Sequence, residues 1–100
     1  MNVDAQEVEL TVAGRTVPIW IVRVAERMFI RSYLGERARW YRHVQATHTA
    51  HIDGVEVRLV GSHDLDDEID DAYYVKYGHS VYADAMVAPQ ARATTLEVLL

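Results

Sequence analysis

Cysteine is absent from the 100 residues, so disulfides and thiolate metal sites are excluded. Lysine occurs once, at Lys76, and the other nine basic residues are arginine. With fifteen acids the net charge is −5, which argues against nucleic acid, since backbone binding needs clustered cations. No apolar run approaches the roughly 20 residues of a membrane span. The start, MNVDAQEVEL, has neither the basic residues nor the apolar stretch of a secretory signal. A cytoplasmic protein with no membrane partner is the expectation. Repeats, linkers and low-complexity tracts are also missing. What is present is half hydrophobic and a quarter charged, the make-up of one globular domain over residues 1–100. A core this small, unbraced by disulfides, suggests a homodimer with two-fold symmetry.

The charge is segmented. Eight arginines and four acids lie between Arg15 and Arg58, whereas six acids and no base lie between Asp64 and Asp71. Two outcomes compete: the arginines pair with the acidic segment, or a few of them hold an anionic ligand.

Val8, Leu10 and Val12 alternate with polar residues and predict a half-buried strand. After the turn Ala13-Gly14-Arg15, Val17 to Val22 is apolar on both faces and predicts a central strand, with Pro18 near its start or at a bulge. MFIRSY predicts its antiparallel partner. Leu34-Gly35 breaks the strand, and the spacing predicts a helix from Glu36 to Ala46. Thr47 to Ile52, the turn Asp53-Gly54 and VEVRLV predict a hairpin. A second helix is expected from Asp67 to Tyr77, with Asp66 as N-cap, acids in its first turn and Gly78 as its stop. Pro89 ends a short helical turn in the ambiguous HSVYADAMVAPQARA, and Thr94 to Leu100 predicts a closing strand. The fold class is mostly β, α+β: about six antiparallel strands with two inserted helices, curled into a small barrel.

Dinucleotide, P-loop, nucleophile-elbow and zinc-protease motifs are absent. His48 and His51 would face opposite sides of a strand, so no metal site is expected. The informative stretch is RSYLGERARWYRHV, Arg31 to Val44. Arg31, the glycine turn at Gly35 and a helix start suit an anion, while Tyr33, Trp40 and Tyr41 offer walls for a flat ligand. The pocket is expected between the end of MFIRSY and that helix. The competing reading makes the aromatics core and pairs Arg31 with an acid.

The order VPIWIVRV, RSYLG, ARWYRHV and HIDGVEVRLV resembles the deazaflavin-dependent nitroreductases and the wider flavin-binding split-barrel superfamily. The tail MVAPQARATTLEVLL resembles a small uncharacterised bacterial subgroup of it. The resemblance implies a split β-barrel, often dimeric, with flavin mononucleotide or a deazaflavin against the sheet. Ser32, Tyr33 and Gly35 then match the loop lining the ring, Trp40 and Tyr41 match the adjoining helix, and Arg31 lies near that loop. The sequence departs from the nitroreductases in its first turn, where AGR leaves Arg15 as the sole charge for the cofactor's phosphate end. The expected activity is a small-molecule oxidoreductase in which Arg31, the Gly35 turn and Arg15 hold the anionic tail, and Tyr41 or His43 donates a proton to a small organic substrate. The alternative is a barrel with no cofactor that binds a small molecule, or isomerises or cyclises one by acid–base chemistry.

Overall fold

The computed structural model describes residues 1–100. Seven strands form one antiparallel sheet in the order β2-β1-β5-β6-β7-β4-β3. They are β1 (Val8–Val12), β2 (Arg15–Ile19), β3 (Ile21–Val24), β4 (Arg27–Ile30), β5 (Thr49–Ile52), β6 (Val55–Gly61) and β7 (Leu96–Leu99). The helices are α1 (Arg39–Thr47), α2 (Asp66–Tyr77), α3 (Val81–Val87) and α4 (Pro89–Arg92), with a 3₁₀ turn at Gly35–Arg37. The class is α+β, mostly β, as the alternating segments imply. No helix is long and apolar enough to cross a membrane.

The expected central strand Val17 to Val22 is instead two strands interrupted at Trp20, and they are the two edges of the sheet. One residue joins β2 to β3, so the sheet must curl until its edges meet there. That split raises the strand count from six to seven. The run is apolar on both faces because it borders two cores. Ile19 and Ile21 enter the interior of the curl with Leu10, Ile30, Ile52 and Leu59. Trp20 and Val22 join the second core outside it with Phe29, Ile69, Tyr73 and Met86. Pro18 sits on edge strand β2, opposite Glu9, where its missing N–H costs least.

The tight hairpin at Asp53-Gly54 forms as expected, with φ of +49° and +80° and Ile52 paired to Val55. Ala25-Glu26 turns the same way with φ of +51° and +67°, joining β3 to β4. The helix expected from Glu36 to Ala46 is divided: Ala38 is extended (φ −64°, ψ 132°) and α1 begins at Arg39. Gly35, at φ +66°, makes the turn before it. MFIRSY is a strand only to Ile30, because beyond it Ser32 N–H donates to the Thr94 side chain at 2.8 Å rather than to a strand.

Helix α2 stops at Gly78 (φ +76°) as expected, but it starts at Asp66, and Leu65 is the N-cap. The Asp66 carboxylate is drawn off to His63 Nδ1 at 2.8 Å and to Arg31. The ambiguous segment supplies two helices rather than one turn, so four helices replace the expected two. Ser80 Oγ accepts from Ala83 N–H to cap α3, and Pro89 occupies the first turn of α4. β7 then slots between β6 and β4 inside the sheet. Tyr41 and Val44 of α1 plug the interior of the curl, while α2 and α3 cover its outer face at β3 and β4.

Candidate functional site

A groove runs where β2 passes under the start of α1 and the side of α3. It has two compartments, of about 490 and 400 Å³, which share Pro18, Tyr33 and Trp40. Either is large enough for a small-molecule site, roughly 300–1,000 Å³. The first is mostly aromatic and apolar: Ile19, Trp20, Tyr82 and Met86 add to the shared walls, and Glu7 and Arg31 also line it. The second is basic, lined by Arg15, Arg39 and His43, with no acid among its walls. Neither Arg15 nor Arg39 takes part in an ion pair. Helix α1 opens onto this compartment through Ala38, Arg39 and Trp40, and no side chain caps its first N–H groups. Free N–H groups and unpaired guanidinium groups in one place favour an anion.

Local structure explains the aromatic walls. Tyr33 lies just past the end of β4, where the chain leaves the sheet, and half of it is exposed. Trp40 is held edge-on by Tyr41, with ring centroids 5.9 Å apart and planes at 84°. Trp20, at the β2–β3 junction, is stacked on Tyr77. Trp40 and Trp20 are thus held from two different elements, and the half-exposed Tyr33 ring completes the wall between them.

Of the residues singled out in the sequence, Arg15, Arg31, Ser32, Tyr33, Trp40 and His43 come together at the groove. Ser32 is a buried wall whose hydroxyl donates to the Gly35 carbonyl at 2.7 Å, so it shapes the turn. Gly35 faces α4, where an added Cβ would lie 3.1 Å from the Gln90 carbonyl oxygen. Tyr41 is buried in the main core, and its remaining surface borders a separate shallow cavity beside Glu36, Arg42 and Gln45. Burial raises its pKa above the ordinary tyrosine range.

Arg31 borders the aromatic compartment from within the protein, and its side chain has no solvent-exposed surface. Nε donates to Thr95 Oγ1 at 2.9 Å. Nη1 donates to Asp70 and to the Met86 carbonyl at 3.1 Å, and Nη2 to the carbonyl and carboxylate of Asp66 at 3.2 and 3.3 Å. All five guanidinium donors therefore have protein acceptors. The alternative in which Arg31 pairs with the acidic segment is the arrangement found. Arg92 reinforces it from α4, reaching Asp67 and Asp70. Burial pushes the Asp66 pKa up, but the His63 hydrogen bond and the Arg31 charge are among the causes that leave a net lowering.

Sequence reading missed Arg39, Trp20, Tyr82 and Met86. Trp20 carried a signal: an indole inside a run of branched aliphatic residues is out of place in a central strand. Arg39 had none, because its role depends on where α1 starts.

Over residues 1–98 the chain matches the family described as an uncharacterised protein conserved in bacteria, DUF2255, and it belongs to that family. No curated protein matches it.

Proposed function

We propose that the groove binds a planar ring with an anionic tail, flavin mononucleotide or a deazaflavin, and that the protein is a small-molecule oxidoreductase. The observation that carries this reading is the shared wall: Pro18, Tyr33 and Trp40 border both the aromatic and the basic compartment. One ligand can thus place a ring in the first and a charge in the second. The side chains fit such a group, since rings offer flat apolar contact and arginine binds phosphate in a fork. Tyr33 and Trp40 hold the ring, and Arg15, Arg39 and His43 hold the tail. When bound, either cofactor supplies hydride transfer to or from a small organic substrate. Arg31 has no part in ligand binding on this reading, because none of its donors is free.

The purified protein is tested by its visible absorption and by titration with flavin mononucleotide, a deazaflavin and lumiflavin, which is the ring without the phosphate. Binding of the first two, with flavin mononucleotide weakened by Arg15→Ala and Arg39→Ala and lumiflavin unaffected, is the expected pattern. Absence of binding by all three rejects the reading.

A further inference from the structure

Tyr73 on α2 carries the buried side-chain polar atom that has no hydrogen-bond partner, its hydroxyl. The ring has no exposed surface and packs against Val22, Phe29, Ile69 and Met86. The Arg31 guanidinium carbon is 5.6 Å from its centroid. Arg31 and Met86, which surround it, and Trp20, which packs against the same cluster, also line the aromatic compartment. Tyr73 therefore stands immediately behind the floor of the groove.

Stability does not ask for this hydroxyl. An unmatched buried hydroxyl is costly, and phenylalanine would fill the same space without it. Burial holds the group protonated, well above the ordinary tyrosine range. The Arg31 charge, and then its backbone N–H, pull the pKa back, but no hydrogen bond reaches the hydroxyl. Even a bond from that N–H would leave the hydroxyl proton without an acceptor. Met86 is the floor element able to give way, being unbranched and flexible, and it is already 4 % exposed.

We infer that Tyr73 is a ligand-positioning residue whose hydroxyl donates to an acceptor atom entering through the floor between Trp20, Arg31 and Met86, such as a carbonyl or ring nitrogen of the bound ring. This rests on the ring-binding reading of the groove. The acceptor belongs to the ring rather than the tail, because Tyr73 lies behind the aromatic compartment and not the basic one.

Tyr73→Phe is compared with the parent by thermal unfolding without ligand and by titration with flavin mononucleotide and lumiflavin. The expected variant unfolds at a temperature no lower than the parent's and binds both ligands about tenfold more weakly, the size of one lost hydrogen bond. Unchanged affinity for both ligands overturns the inference, and so does a clear fall in unfolding temperature, which would reveal a partner within the protein. If neither flavin binds the parent, the ring-binding reading fails. The hydroxyl is then decided by a high-resolution crystal structure of the ligand-free protein. A water on Tyr73 Oη reached from the groove supports an acceptor site there, whereas a protein acceptor or a sealed floor overturns it.

Discussion

Trp20 and Tyr77 stack face to face, with ring centroids 3.8 Å apart and planes within 3° of parallel. Trp20 is the single residue between the two edge strands, and Tyr77 is the last residue of α2. The Tyr77 hydroxyl donates to the Gln6 carbonyl at 2.8 Å, so the same ring ties the segment before β1 to this junction. Closure of the curl, attachment of α2 and one wall of the groove thus depend on one aromatic pair.

Trp20→Ala is expected to destabilise the protein by about 2–3 kcal/mol, below the usual range for a buried aromatic truncation because the indole is only partly buried. Urea unfolding reads this as a lower midpoint. A midpoint equal to the parent's would show that the junction closes without the stack.

Arg31→Ala leaves Asp66 and Asp70 facing a buried gap and is expected to cost about 3–5 kcal/mol, the range for breaking a buried ion pair. That is a large share of a small domain's stability. A double-mutant cycle of Arg31→Met with Asp70→Asn measures the coupling. Full stability of Arg31→Ala would show that the network does not support the fold.

Acid sensitivity is assigned to Asp64. Hydrogen bonds from Arg27 first, then from Ser62, hold its carboxyl down to about 2. The folded pKa is below the unfolded one, near 3.9. The stabilisation is therefore complete above about pH 4 and is lost as pH falls toward 2. Unfolding temperature measured across that window should drop less steeply in Asp64→Asn than in the parent. Because the pair is exposed, the difference should shrink in high salt.

Gly54→Ala is expected to cost about 1 kcal/mol through backbone strain alone, since φ is +80° and no atom lies within 4 Å of the added Cβ. Gly61→Ala is the control: its surroundings are equally open and its φ is not positive. Equal stability of the two variants in chemical denaturation would contradict this.

Tyr41 and His43 are two residues apart on α1 but face different surroundings, the first the core and a shallow cavity, the second the basic compartment. On the proposed function, Tyr41→Phe leaves ligand binding unchanged, while His43→Gln weakens binding of flavin mononucleotide and leaves lumiflavin binding unchanged. The reverse result in the same titrations would move the ligand to the other side of the helix.

Much of the strand pattern was legible because period-two alternation needs only local information. Val8 to Val12, Asp53-Gly54 with its flanking strands, and Thr94 to Leu100 could be read from side-chain order and turn chemistry. The candidate site was partly legible for the same reason. Tyr33 and Trp40 flank a glycine turn, and the nearby chain puts them together. Arg15 comes from a different hairpin, and its presence at the same groove was suggested by resemblance, not by spacing.

By itself the sequence determined the elements whose signals are local: alternating strands, the hairpin turn that demands positive φ, the stop of α2 at Gly78. Only the tertiary structure decided that Val17 to Val22 is two edge strands, because a run bordering two cores has the same composition as one buried central strand. It also decided the role of Arg31. An arginine before a glycine turn has the same local signature whether it meets a ligand or an acid. Which it meets depends on Asp66, Asp70 and Thr95, brought to it from 35, 39 and 64 residues away, and a long-range pairing of that kind leaves no periodic trace in the chain.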